Sequence, residues 1–204
     1  MLQGFDRSDV GKVAVGEPER CVVLGRATPV RDVYVGRCVA DGVPVYRRKG
    51  GGGAVVLAPG MLVISTCFSF SRRPDATMLI SGLAETIIQA LTAYGQKSGS
   101  RVQGLSIRGF GDVCIGDRKI VGSSLYFGKD LALYQASLLV RDSAGIINRY
   151  LDRPSAEPEY RRGRTHDQFV TSLEQENIPA DSGALTRELT GAFRARWLLG
   201  KAAP

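Results

Sequence analysis

Between two valine-rich segments the chain runs Arg47-Arg48-Lys49-Gly50-Gly51-Gly52-Gly53-Ala54-Val55-Val56. Four consecutive glycines in that setting constrain the fold more than any other stretch. They forgo side-chain packing, and each costs about 0.5–1 kcal/mol of backbone entropy relative to Ala in a regular element. A chain that keeps them between two strands needs its backbone at close range to something. The exposed N–H groups of such a loop cradle an anion, and Arg47, Arg48 and Lys49 add positive charge beside it. A phosphate or carboxylate ligand fits this chemistry. A flexible turn beside a solvated strand end is the competing reading.

Short Val- and Ile-rich blocks on either side predict strands at 21–25, 43–47, 54–58 and 61–68. Pro59-Gly60 reads as a hairpin turn between the last two. Asp75 then opens a helix in which Leu79, Leu83, Ile87, Leu91 and Tyr94 recur at helical spacing, with Gly95 and Gly99 closing it. Further strands are expected at 101–107, 112–116, 119–127 and 133–140. Helices are expected at 144–151, 165–173 and 182–199, the last capped by Asp181 or Ser182. The polar, proline-bearing stretch 152–164 reads as a connection. Strands with intervening and terminal helices make a mixed α/β (α+β) domain.

The 204 residues, with a net charge of +7, suit one domain with a full core. No uninterrupted apolar run reaches the roughly 18–20 residues of a membrane span, and residues 1–12 lack the apolar stretch of a signal peptide. A cytoplasmic setting is the expectation. The single histidine, His166, excludes a two-histidine zinc motif and reads as a solvated residue at a helix start. Cys21, Cys38, Cys67 and Cys114 stand singly, which is no zinc ligand set and suits reduced, packed thiols. The familiar nucleotide motifs do not fit. Gly122 to Gly128-Lys129 is too long for a phosphate-binding P-loop and ends in Asp130, while Gly109-x-Gly111 lacks the third glycine of a dinucleotide fingerprint. The basic runs 47–49 and 160–164 are short and carry no RNA-binding aromatic motif, so no nucleic-acid partner is expected.

A second constellation lies at 111–127. Gly116-Asp117 makes a tight turn that delivers Lys119 onto the next strand, where Gly122 and Ser123 let a ligand approach closely. A lysine on a rigid strand beside a glycine loop suits a carboxylate–phosphate mixed anhydride.

In this order and separation, the two stretches resemble the catalytic domain of lipoate–protein ligases, relatives of biotin–protein ligases and octanoyl transferases. The family's Arg-Arg-x-Ser-Gly-Gly-Gly-Ala-Val is matched by residues 47–55. Its Gly-x-Lys-(Ile/Val)-x-Gly-Ser-Ala is matched by Asp117-Arg118-Lys119-Ile120-Val121-Gly122-Ser123-Ser124. The likeness runs over roughly residues 20–175. The pattern departs at Gly50, where the family has Ser, and at Leu57-Ala58, where it has His-Asp. It departs again at Met61 for Asn, at Gly111-Asp112 for Asn-Asp, and at Tyr134-Gln135 for a His-bearing segment.

The resemblance implies one catalytic domain over residues 1–204 with largely antiparallel sheets flanked by helices, and no accessory domain within it. It implies ATP, Mg2+ and lipoate as ligands. Activation of the lipoate or octanoate carboxylate to an acyl-adenylate would precede transfer to a lysine of an acidic carrier domain, with a separate accessory subunit as a further partner. Carried over residue by residue, Lys119 is the catalytic group. Arg47, Arg48, Gly50, Gly51, Gly52, Gly53, Ala54, Asp112, Lys119, Gly122, Ser123 and Ser124 form the ATP and acyl-adenylate site, with no protein metal site. Asp112 is equally readable as a turn cap. Two other readings stand beside this one: an ATP-independent acyl transferase using a Cys114 thioester, and a non-catalytic domain that binds an acyl ligand or carrier.

Overall fold

The computed structural model describes residues 7–198. Among the described residues nine strands form two sheets. In chain order they are β1 (Val13–Gly16), β2 (Cys21–Leu24), β3 (Val45–Arg47), β4 (Val55–Leu57), β5 (Met61–Ser69), β6 (Leu105–Arg108), β7 (Asp112–Ile115), β8 (Arg118–Phe127) and β9 (Leu131–Leu139). The helices are α1 (Val35–Ala40), α2 (Ala76–Lys97), α3 (Ala144–Tyr150), α4 (His166–Phe169) and α5 (Ser182–Phe193). The large sheet is antiparallel in the order β1-β5-β9-β8-β7-β6, and a three-stranded sheet runs β3-β2-β4. Among the named strands only β2 and β3 pair in parallel, with α1 in their crossover.

Alternation assigns the faces. Along β9, Ala132, Tyr134, Ala136 and Leu138 are buried while Gln135 and Ser137 are half-buried. The first set packs against α2 and α5 in the main core, which includes Leu83, Ile87, Leu91, Leu185, Leu189 and Phe193. The second set faces the small sheet. Asp75 caps α2 by accepting from the Met78 amide at 2.8 Å, and Asp181 caps α5 through the Ala184 amide at 2.9 Å.

Several expectations are corrected. Pro59-Gly60 does not close a hairpin. β4 pairs with β2 while β5 pairs with β1 and β9, so the turn carries the chain from one sheet to the other. Gly60, at φ +89°, accepts from the amides of Val140 and Arg141 there. Gly95 lies inside the last turn of α2 instead of ending it. By length and composition alone α2 could cross a membrane, although Glu85 and other polar residues interrupt its apolar run. Its apolar stripe is instead buried in the main core. Helix α4 is shorter than 165–173, and α5 passes into a π-helical turn at Arg194–Leu198. Leu199 lies outside the described residues. β1 and the strand-pairing role of residues 13–16 escaped the sequence reading, because Val-Ala-Val-Gly is too short a signal.

Candidate active site

A cavity of about 590 Å³ lies between the second face of the large sheet and the loop joining β3 to β4. Gly51–Gly53 and Arg48 form one wall, and Asp112, Lys119 and Gly122–Ser124 form another. An apolar wall of Val23, Val55, Leu57 and Val63 belongs to a small cluster separate from the main core. A fourth wall comes from the stretch after α3, including Asp152, Glu157, Arg161, His166 and Phe169.

The glycine loop is held by its carbonyls. The Arg48 guanidinium donates to Gly51 O at 2.6 Å and Gly53 O at 2.9 Å, with a longer bond to Val23 O. The Thr28 hydroxyl donates to Gly52 O at 2.8 Å, and the Arg26 amide to Gly50 O at 2.9 Å. Gly52 stands at φ +91°, where a Cβ would lie 2.8 Å from Arg48 Nη2. All four carbonyls therefore have donors, while the amides of Gly51, Gly52 and Gly53 have no acceptor among the described residues. Such a row of amides is an anion-binding arrangement. Burial lowers the Arg48 pKa to about 10.

Lys119 follows the two-residue turn at Gly116-Asp117, and Cys114 pairs with it across the hairpin. The register then slips, with Val113 opposite Val121, leaving Ile120 as the extra residue of a bulge. Bulges re-aim neighbouring side chains. The Lys119 carbonyl also accepts from the Thr171 amide at 2.9 Å, which ties the strand to the segment after α4. Lys119 Nζ pairs with Asp112 Oδ1 at 2.8 Å. Asp112 Oδ2 accepts from the Tyr160 hydroxyl at 2.7 Å. A Cβ on Gly122 would sit 2.9 Å from Lys119 Cε, so the missing side chain makes room for the lysine itself rather than for a ligand. Ser123 donates to Gly111 O at 2.8 Å and so braces the start of β7.

Not every residue drawn from the motif reaches the cavity. Arg47 lies outside the lining, where Nη1 donates to the carbonyls of Gly25 at 2.7 Å, Arg26 at 3.1 Å and Thr28 at 2.8 Å. It fastens the segment that in turn holds the glycine loop. Gly50 also lies outside the lining and is buried, and a Cβ there would meet Ser124 Oγ at 2.7 Å. The family resemblance sets Ser at position 50 and Ala at 124; this chain has Gly50 and Ser124, so the hydroxyl moves to position 124 and takes the space a side chain at 50 would fill. Ala54 lines the cavity beside the loop.

His166 does start a helix, but it is half-buried and lines the cavity instead of being solvated. Burial, reinforced by the Arg161 charge, lowers its pKa to about 4, so the imidazole is neutral near pH 7. Cys114 is fully buried, and burial raises its thiol pKa. That leaves the thioester reading without an exposed nucleophile; all four cysteines are buried.

The 152–164 stretch is more than a connection. Asp32, itself buried, accepts from the Ser155 amide at 3.0 Å and from its hydroxyl, and Tyr34 donates to Asp152 at 2.8 Å. At its other end Arg164 donates to Asp117 Oδ2 at 2.9 Å and to the carbonyls of Asp117 and Tyr160, each at 3.0 Å. The strap thus joins the small-sheet side to the lysine hairpin across the cavity. Its proline and mixed charges hid this role, because polar composition reads as loop whether or not the loop is pinned. The spacing of Tyr160, Arg161 and Arg164 was the available signal.

Among the described residues no group of three or more His, Cys, Asp or Glu is placed to hold a metal ion. Asp112 is engaged by Lys119 and Tyr160, and Asp32 by Ser155. The described residues thus offer no ready-made Mg2+ cage.

The two-sheet fold thus brings the glycine loop and the strand lysine into the lining of one cavity. The family model for the lipoyl protein ligase A/B catalytic domain matches residues 11–194, and the chain belongs to that family. Among solved structures it resembles lipoate-protein ligase A bound with ATP, at 19% identity and a TM-score of 0.72, over 90% of this chain and 71% of that one. It also resembles the bipartite lipoate protein ligase of Thermoplasma acidophilum, described with its E2 lipoyl domain. That match has 21% identity and a TM-score of 0.68, over 90% of this chain and 69% of that one. LipL1 of P. falciparum, in complex with lipoate, matches at 20% identity and a TM-score of 0.65, over 94% of this chain and half of that one. At these identities the likeness carries the fold.

Proposed function

We propose that this domain activates lipoate or octanoate with ATP and transfers the acyl group to a lysine of a lipoyl carrier domain. The observation that carries this reading is the shared cavity: unpartnered glycine-loop amides on one wall, the Lys119 ammonium on another, and an apolar end at Val23, Leu57 and Val63. Structural relatives described with ATP, with lipoate and with a lipoyl domain support the same ligands here.

In the first step a carboxylate oxygen attacks the α-phosphorus. The bond from that phosphorus to the bridging oxygen breaks, and pyrophosphate departs with both electrons. Negative charge gathers on phosphate oxygens, where preorganised donors lower the barrier most. The amides of Gly51–Gly53 receive the α-phosphate, while Arg48 fixes the loop from behind. Lys119 moves from Asp112 toward the acyl carbonyl and α-phosphate and stabilises the developing charge. The aliphatic chain lies in the apolar end, at about 0.8 kcal/mol per buried methylene.

In the second step the carrier lysine attacks the acyl carbon. The carbon–oxygen bond to the phosphate breaks, AMP leaves and the nitrogen gives up a proton. The +7 net charge steers an acidic carrier toward the site. A cytoplasmic setting suits this reaction, and a separate accessory subunit is part of the proposal.

The test incubates the chain with ATP, lipoate and a lipoyl domain, with and without a candidate accessory chain, and follows the domain's mass. A lipoyl adduct that depends on ATP supports the reading. Acylation that proceeds without ATP, or none under either condition, overturns it.

A further inference from the structure

The cations lining the cavity differ in what they already hold. Arg48 Nε and Nη2 are turned to loop carbonyls, and Lys119 is paired with Asp112. Arg26 is exposed at the rim. Arg161 is different. Its side chain is only 7% exposed, yet it lines the cavity. Its Nε donates to the Arg164 carbonyl at 2.9 Å. No hydrogen bond among the described residues takes its terminal Nη1 and Nη2.

The charges facing Arg161 do not satisfy that fork. Glu157 is its acidic neighbour, at 3.5 Å from Nε, and Glu157 Oε1 is already engaged by the Gly163 amide at 2.8 Å. Glu157 Oε2 is buried without a hydrogen bond. Arg153 and Arg164 add positive charge on the same side, and burial lowers the Arg161 pKa. A buried guanidinium with two unmatched nitrogens is costly unless a ligand completes it.

Placement indicates which ligand. Arg161 Cζ lies 4.8 Å from the centre of the Phe169 ring, and Lys119 Nζ lies 6.0 Å from the same centre. Both cations also line the cavity that the glycine loop lines, one from the strap and one from the hairpin. We propose that Arg161 binds the β- and γ-phosphates of ATP, and so the pyrophosphate leaving group, through its free fork. This rests on the ligase reading, which puts the α-phosphate between the glycine loop and Lys119. The next phosphates of the chain then continue toward the strap. A planar guanidinium takes two oxygens of a phosphate at once, which a single ammonium does not.

Titration calorimetry with ATP, inorganic pyrophosphate and lipoyl-AMP tests this on the wild type, Arg161→Gln and Arg161→Lys. Lipoyl-AMP lacks the β- and γ-phosphates, so it reports on the rest of the site. Arg161→Gln is expected to weaken ATP and pyrophosphate about 10- to 100-fold, the scale of a charged hydrogen bond. Lipoyl-AMP is expected to change less than about twofold, and Arg161→Lys to retain part of the pyrophosphate affinity. If Arg161→Gln fails to fold, Arg161→Lys carries the same comparison of ATP against lipoyl-AMP. Equal weakening of lipoyl-AMP, unchanged ATP affinity, or no pyrophosphate binding by the wild type overturns the assignment. Wild type that binds pyrophosphate but neither ATP nor lipoyl-AMP instead removes the ligase reading and leaves an anion site at Arg161.

Discussion

Lys119 Nζ lies 2.8 Å from Asp112 Oδ1, so the hairpin presents its ammonium already paired. The pair is itself held, because Tyr160 donates to the other carboxylate oxygen at 2.7 Å. Burial and the nearby Asp112 charge raise the Tyr160 pKa, which keeps the phenol protonated as a donor. In the proposed reaction Lys119 exchanges Asp112 for ligand oxygens, and Tyr160 keeps Asp112 in place when it does.

Tyr160→Phe removes one donor from the carboxylate of Asp112, whose side chain is only 11% exposed. Stability is expected to fall by about 1–3 kcal/mol. Acyl-adenylate formation is expected to slow more than ATP binding weakens, since Asp112 and Lys119 lose their fixed positions. Thermal melting and single-turnover kinetics check both. An unchanged rate would remove Tyr160 from the positioning network.

Gly122→Ala tests the lysine's path. The new Cβ would stand 2.9 Å from Lys119 Cε and 3.1 Å from Nζ, so the flexible lysine end moves while the backbone stays. Melting temperature is expected to change little. Displacement of a charge-stabilising group costs on the order of 10²-fold in rate. Wild-type turnover from Gly122→Ala would show that Lys119 need not lie over this glycine.

The Gly50–Ser124 contact predicts a coupled pair. Gly50→Ala pushes a Cβ to 2.7 Å from Ser124 Oγ, and overpacking of this kind costs about 1–3 kcal/mol. Adding Ser124→Ala opens that space, so the double variant is expected to regain much of the loss. Denaturant titrations of the four proteins give the coupling energy. Strict additivity would contradict the contact.

His166 predicts a sign for the pH dependence. Its pKa falls from 6.5 to about 4 on folding. Between those values the unfolded chain binds the extra proton, so this histidine makes stability fall as pH drops from about 6.5 to 4. Above that window its contribution is constant. His166→Gln should flatten the stability–pH curve there relative to wild type, as read by urea titrations at stepped pH. Parallel curves would mean the imidazole is not withheld from protons.

The elements most legible in the sequence were those with long or repeated signals. The stripe from Leu79 to Tyr94 and the cap at Asp75 located α2, and Gly116-Asp117 located the β7–β8 hairpin. Sheet membership was not legible. Valine-rich 54–58 and 61–68 look like two arms of a hairpin, and only long-range pairing with β2 and β9 separates them. The motifs brought out the two facing walls of the cavity, but not what each side chain does there. Arg47 is a carbonyl clamp because its neighbours in space are residues 25–28, which a local pattern does not reveal. The strap was missed for a similar reason: Asp32 and Asp117, distant in sequence, pin it.

The most direct test of the central claim is calorimetric titration of lipoyl-AMP into the wild-type chain and into Lys119→Met. The account predicts wild-type binding in the micromolar range or tighter, about −8 kcal/mol or beyond. Lys119→Met should weaken it by about 10- to 100-fold through the lost charged contact. Absence of binding by the folded wild type at micromolar concentrations, or equal affinity for the two proteins, would contradict the claim that this cavity holds an acyl-adenylate against Lys119.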